Sequence, residues 1–201
     1  MKTRLLAAAA LAAVPLHAAC AQDPEPEASV RDPLAVSGFR AELQAGYDDD
    51  GFSNGTLYGG RIGYDLAVGR RVLLGADAEL NDVTTHRDLG LPTQPALRAK
   101  DGRELYLGAR ATFVLSRRFR LFGGAGYTRQ RQGFFFETSP TPPPIGTFGV
   151  ERIVFDGYRL SAGAQFLLGK RAFLGAEYRY ANYEDFGNRR EQLVGSLGFR
   201  F

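Results

Sequence analysis

FLLGKRAFLGAEYRY, Phe166 to Tyr180, sets Glu177 and Arg179 between Ala176, Tyr178 and Tyr180 in strict alternation, directly after the basic turn Gly169-Lys170-Arg171. A period of two is that of a β-strand with one polar and one apolar face. Which face lies inside decides between a soluble barrel and one that crosses a membrane.

The same unit occurs three times. Leu57 to Asn81 (LYGGRIGYDLAVGRRVLLGADAELN), Glu104 to Thr128 (ELYLGARATFVLSRRFRLFGGAGYT) and Gly157 to Tyr180 (GYRLSAGAQFLLGKRAFLGAEYRY) each read as strand, tight basic turn, strand. A first strand over Gly38 to Asp48 and a last over Glu191 to Phe201 complete a predicted set of eight, an even number that can close on itself. Runs of about 9–13 residues suit a tilted crossing of a bilayer. At their other ends the strands are joined by longer polar stretches: DDDGFSNG from Asp48, DVTTHRDLGLPTQPALRAKDG from Asp82, RQGFFFETSPTPPPIGTFGVERIV from Arg131 and EDFGNRR from Glu184. Short turns at one end and long loops at the other are the asymmetry of an outer-membrane barrel.

Parity sorts the strands into two faces. One holds no charge and includes Leu43, Ala45, Ile62, Ala76, Ala109, Ala111, Leu160 and Ala176. The other holds Arg40, Glu42, Arg61, Asp65, Asp77, Glu79, Glu104, Arg110, Arg159, Gln165, Glu177 and Arg179, interleaved with glycines. A soluble barrel of the lipocalin kind would turn the apolar set inward around a ligand. Against that, tyrosines of the apolar face gather at the long-loop ends (Tyr47, Tyr58, Tyr127, Tyr158, Tyr178, Tyr180) and phenylalanines at the turn ends (Phe39, Phe113, Phe166, Phe199). Two aromatic girdles about a band of Ala and Leu are what a bilayer selects. The chain has no Trp; tyrosine supplies the same amphipathic ring. The expected fold is therefore all-β: an eight-stranded antiparallel transmembrane β-barrel with the charged set in its lumen.

From Gly38 to Phe201 the chain resembles the small outer-membrane β-barrel family that includes the OmpA membrane domain, OmpX and the opacity-type, porin-family proteins. The alternating hairpins and the ending GSLGFRF carry the resemblance, with Phe199 and Phe201 in an aromatic-x-aromatic terminal signal. Ser196 stands where the family often has glycine, with Gly195 beside it. The resemblance implies residence in the outer membrane of a Gram-negative cell envelope. It implies contact with outer-membrane lipid and lipopolysaccharide, and recognition of Phe199 and Phe201 by the barrel-assembly machinery. It also implies a monomer without cofactor, metal or nucleic-acid partner.

Ahead of the barrel, residues 1–21 read as a secretory signal: Lys2 and Arg4, an apolar run from Leu5 to Leu16, and an A-x-A site at Ala19-Cys20-Ala21. Cleavage there leaves Gln22 first and removes Cys20, the single cysteine. The alternative is a lipoprotein signal that keeps an acylated Cys20, against which His17 stands where such signals want Leu. Loss of Lys2 and Arg4 lowers the net charge from +3 to +1, so the basic balance does not argue for nucleic acid. Residues 22–37, rich in Pro, Glu and Asp, read as a flexible periplasmic leader.

The lumenal charges read either as an ion path gated by exchangeable salt bridges or as buried charges that must be paired because an unpaired one costs several kcal/mol. Pairing is favoured by the near balance of sign, with Glu177 expected to face Arg110 or Arg159. Catalysis finds little support, since His86, expected in a long loop beside Thr84, Thr85 and Asp88, has no serine partner on a strand. Asp48 to Gly55 departs from a calcium loop because Phe52 takes a ligand position. Phe134, Phe135 and Phe136, ahead of the proline-rich Ser139 to Gly146, are either an exposed tip for an extracellular ligand or the end of a strand standing above the membrane. The expected function is a non-enzymatic barrel with a largely plugged lumen and a structural or adhesin-like surface role. The alternatives are a small porin-like channel and, less favoured, a lipid-modifying enzyme.

Overall fold

The structure, a computed structural model, describes residues 35–51, 53–84, 86–88, 97–136, 148–183 and 189–201. Nine strands are formed: β1 (Gly38–Asp49), β2 (Asn54–Ala67), β3 (Val72–Val83), β4 (His86–Asp88), β5 (Leu97–Val114), β6 (Phe119–Phe136), β7 (Phe148–Leu167), β8 (Ala172–Tyr183) and β9 (Arg189–Arg200). Neighbours run antiparallel in the order β3-β2-β1-β9-β8-β7-β6-β5-β4, and a pairing of β3 with β5 closes the ring. The seam lies between first and last strands, with Ala41 opposite Phe199 and Tyr47 opposite Leu193. β4 adds no further wall. Asp82 pairs with Arg103 and His86 with Lys100, so β4 continues β3 along β5 with a slip of one residue. The barrel thus has eight walls and is an antiparallel transmembrane barrel.

Its faces follow parity. Leu43, Ile62, Leu107, Leu160 and Leu193 are exposed, as are Tyr47, Tyr58, Tyr127, Tyr158 and Tyr178 toward the loop ends and Phe39, Phe113, Phe166 and Phe199 toward the turns. Buried arginines and carboxylates occupy the inner face. In water such an arrangement would be inverted; in a bilayer it places apolar surface against lipid and satisfies every strand's backbone through closure.

Three features depart from the expected layout. β5, β6 and β7 are 18, 18 and 20 residues long, so part of what reads as loop is strand. At about 3.3 Å per residue and a tilt near 40°, β7 rises about 50 Å, against an apolar band of about 25 Å. Above the band the outer face of β6 turns polar, with Arg129 and Arg131 exposed, and the two-residue alternation that marks a strand fades. His86 accordingly opens β4 rather than lying in a loop, whereas Phe134 to Phe136 end β6, opposite β7 through Phe136↔Phe148, as the second of their two readings had it. Finally, residues 35–37, assigned to the flexible leader, are packed: Ala35 is buried with Leu73 and Val114, and Ser37 Oγ accepts a hydrogen bond from the Ala67 amide at 2.8 Å.

Inside, aromatic rings fit over glycine. Phe173 faces Gly198 across the β8–β9 pair and Phe122 faces Gly163 across β6–β7, each ring lying where a Cβ on the glycine would project. Glycine here provides close approach of ring to backbone. Gly198→Ala is expected to unseat the fully buried Phe173 at a cost of about 1–3 kcal/mol, read as a lower temperature for loss of the compact gel band. Combined with Phe173→Ala it should cost less than the sum of the two single changes.

Candidate functional site

The inner face of every wall contributes to one charged network. Near the turn end, Arg200 donates to Asp65 at 2.6 Å, and Arg40 reaches Asp65 at 3.4 Å, Asp77 at 2.6 Å and also Glu42. Arg61 continues the chain from Glu42, at 3.6 Å, to Glu79 and to Glu177 at 2.5 Å. Glu79 is the hub: besides Arg61 it faces Arg159 at 2.7 Å and Arg179 at 3.3 Å. Toward the loops, Glu104 accepts from Arg159 at 3.1 Å and Gln192 at 3.0 Å, and Gln192 also donates to Asp48, which pairs with Arg190 at 3.2 Å. An unbroken run of contacts therefore links Arg200 to Arg190 along the lumen.

Several of these bonds cross it. In ring order β3 and β8 stand opposite each other, as do β5 and β9. Arg179 on β8 meets Glu79 on β3, and Gln192 on β9 meets Glu104 on β5. Such crossings are possible because glycines on the intervening positions leave a narrow bore that two long side chains span. Arg40, Arg159 and Arg179 are 1%, 1% and 0% exposed. Charges so enclosed are tolerated only with opposite charge and hydrogen bonds at hand.

All the charged positions singled out from the sequence lie in this network, but their partnering differs from the expected one. Glu177 meets Arg61 and Arg179, not Arg110 or Arg159. Arg110 instead lies over the Phe122 ring, 3.5 Å from its centroid, with Glu42 at 3.5 Å and Asp77 at 3.8 Å. Arg159 lies over Tyr106 at 3.6 Å. Both are cation–π contacts in a site sheltered from water. Parity would also have placed Asp48, Tyr106, Arg120, Phe122, Arg190 and Arg200 on the inner face. Each lies near a strand end or beside apolar neighbours, where the alternation is obscured.

Three apolar clusters accompany the polar stretch. Ala35, Leu73 and Val114 pack together at the turn end, Leu57, Val83 and Val194 toward the loops, and Phe155, Ala181 and Tyr183 at the loop-side mouth.

Residues 6–201 match the family described as "Outer membrane protein beta-barrel domain". The chain belongs to that family. As an outer-membrane barrel it resides in the outer membrane of the Gram-negative cell envelope. No curated protein matches the chain by sequence. Among solved structures it is similar to Ail, the attachment invasion locus protein of Yersinia pestis, at 15% identity and TM-score 0.53, over 83% of this chain and 100% of that one. It is similar to Neisserial surface protein A at 14% identity and TM-score 0.53, over 82% and 98% of the two chains. The N-terminal barrel domain of OprF from Pseudomonas aeruginosa gives 17% identity and TM-score 0.50, over 83% and 100%. At these identities the likeness is one of fold.

In this outer-membrane barrel the remaining candidates are placed as follows. Phe199 and Phe201 are exposed at the turn-side end of β9. The side chains of His86 and of Phe134, Phe135 and Phe136 lie outside the described residues, as do Phe52 and the segment 137–147. At the β1–β2 tip, Asp49 Oδ1 accepts from the Gly51 amide at 2.8 Å and Asp50 Oδ1 from the Ser53 amide at 2.7 Å. Gly51 has φ 81°, the left-handed conformation that glycine adopts without strain. These carboxylates shape a tight hairpin, and Asp48 points into the lumen toward Arg190 and Gln192.

Proposed function

We propose that the protein is a non-enzymatic barrel, closed to steady flow, that carries surface-exposed strand extensions and loops for structural or adhesin-like contact outside the cell. The observation that supports closure is the set of ion pairs and hydrogen bonds spanning opposite walls, Arg179 to Glu79 and Gln192 to Glu104, with apolar clusters toward each end. An eight-stranded barrel has an interior that side chains can fill. A water column through it would require these bonds to part together, each leaving a buried charge without a partner. The surface role is supported by β5, β6 and β7 standing well above the apolar band. Lipopolysaccharide around that exposed wall, and recognition of Phe199 and Phe201 during assembly, belong to the same reading.

Planar-bilayer recording tests it. The purified barrel is expected to give rare, small openings at neutral pH. Steady, large currents from the wild type would overturn closure and leave the channel reading in its place.

A further inference from the structure

The three short turns share one composition. Val68-Gly69-Arg70-Arg71 joins β2 to β3, Leu115-Ser116-Arg117-Arg118 joins β5 to β6, and Leu168-Gly169-Lys170-Arg171 joins β7 to β8. In each an exposed aliphatic residue is followed by a small one and then by two exposed cations. Among the described residues, no acidic side chain is exposed along this edge, and none of the six cationic groups has an ion pair. The charges are therefore unspent by the fold, unlike those of the lumen.

We propose that these turns form a binding rim for the phosphate headgroups of anionic phospholipid in the periplasmic leaflet. Short turns face the periplasm. Val68, Leu115 and Leu168 prolong the lipid-facing belt set by Leu66, Phe113 and Phe166, so the residues that follow them stand where hydrocarbon gives way to headgroups. Cations at that depth reach phosphates, and arginine does so with a two-pronged donor pattern. The occupant is argued from continuity: the cations extend a surface already in contact with lipid, and they stand at three of the four corners of the ring, the fourth being the β9–β1 seam. Lipid surrounds a barrel in this way, whereas a compact soluble partner would have to span the whole mouth.

Each cation near an anionic surface contributes about fivefold in affinity. The full-length mature barrel in neutral detergent is therefore expected to retain phosphatidylglycerol over phosphatidylethanolamine by at least about tenfold, read by native mass spectrometry at low salt. The preference should fall stepwise through R70Q/R71Q, R117Q/R118Q and K170Q/R171Q to parity when all six are changed, while R129Q/R131Q at the loop side leaves it intact. The compact gel band verifies folding, and if the sixfold variant does not fold, the three paired variants carry the same stepwise loss. Equal retention of the two lipids, or a preference that survives the changes, overturns the proposal. Co-sedimentation with peptidoglycan that depends on the six cations, without lipid preference, also overturns it and reassigns the rim to an anionic wall polymer.

Discussion

Ala109→Arg is expected to abolish the compact, fast-migrating band that the folded barrel gives in unboiled gel samples, whereas Arg110→Ala leaves it in place. The two residues are adjacent on β5, near the middle of its membrane-crossing part, and lie on opposite faces. Ala109 is exposed on the outer surface, flanked by Ala76 on β3 and Ala125 on β6. A guanidinium there meets hydrocarbon at a cost of about 2–4 kcal/mol near the midplane, a large share of a small protein's stability. Removing Arg110 deprives Glu42 and Asp77 of a distant partner only: Glu42 keeps Arg40 and Arg61, and Asp77 keeps Arg40 at 2.6 Å. Equal loss in both variants would mean that the faces are reversed.

The largest lumenal effect is expected at Glu79. Substituting Glu79 by Ala leaves Arg159 and Arg179 with only Glu104 and Glu177, the latter shared with Arg61, which keeps Glu42 as well, and so removes one negative charge from among three buried arginines. Removing one member of a buried ion pair typically costs about 3–5 kcal/mol, and here three arginines lose one hub. Urea unfolding in lipid vesicles should show a clear fall in midpoint, and bilayer recording should show more frequent openings. Asp156→Ala is the matched control: its partner Arg129 lies 3.4 Å away, with both side chains about half exposed, where an ion pair contributes at most about 1 kcal/mol. If the two changes destabilise alike, the lumenal network is not what holds the walls together.

Which residues share a face was legible from the sequence because the alternation around Glu177 and Arg179 survives wherever one side meets lipid. The tight dibasic turns were legible for the same reason, since each interrupts two alternating runs. Pairing inside the lumen was not. Glu177 meets Arg61 from β2 rather than Arg110 from β5, and that outcome depends on how far the walls are staggered around the ring, which no single strand records. The upper parts of β5, β6 and β7 were hidden because residues such as Arg129 and Arg131 face water where lipid no longer imposes a pattern. The apolar inner clusters at Leu57, Val83 and Val194, and at Phe155 and Tyr183, were hidden because an inward aliphatic residue interrupts the polar rhythm without announcing a direction.

The seam between β1 and β9 also governs the order of events by which the protein reaches its site. Ala41 and Phe199 become neighbours only after β2 to β8, which lie between them in the chain, have been made. Closing so long a loop precedes the reward of the contacts it brings, which slows folding. A chain lacking β9 would leave two strand edges with unpaired backbone groups in hydrocarbon, which the bilayer does not tolerate. Closure is therefore all-or-none: until β9 pairs with β1 the ring keeps two open edges, and that one strand acts as the latch.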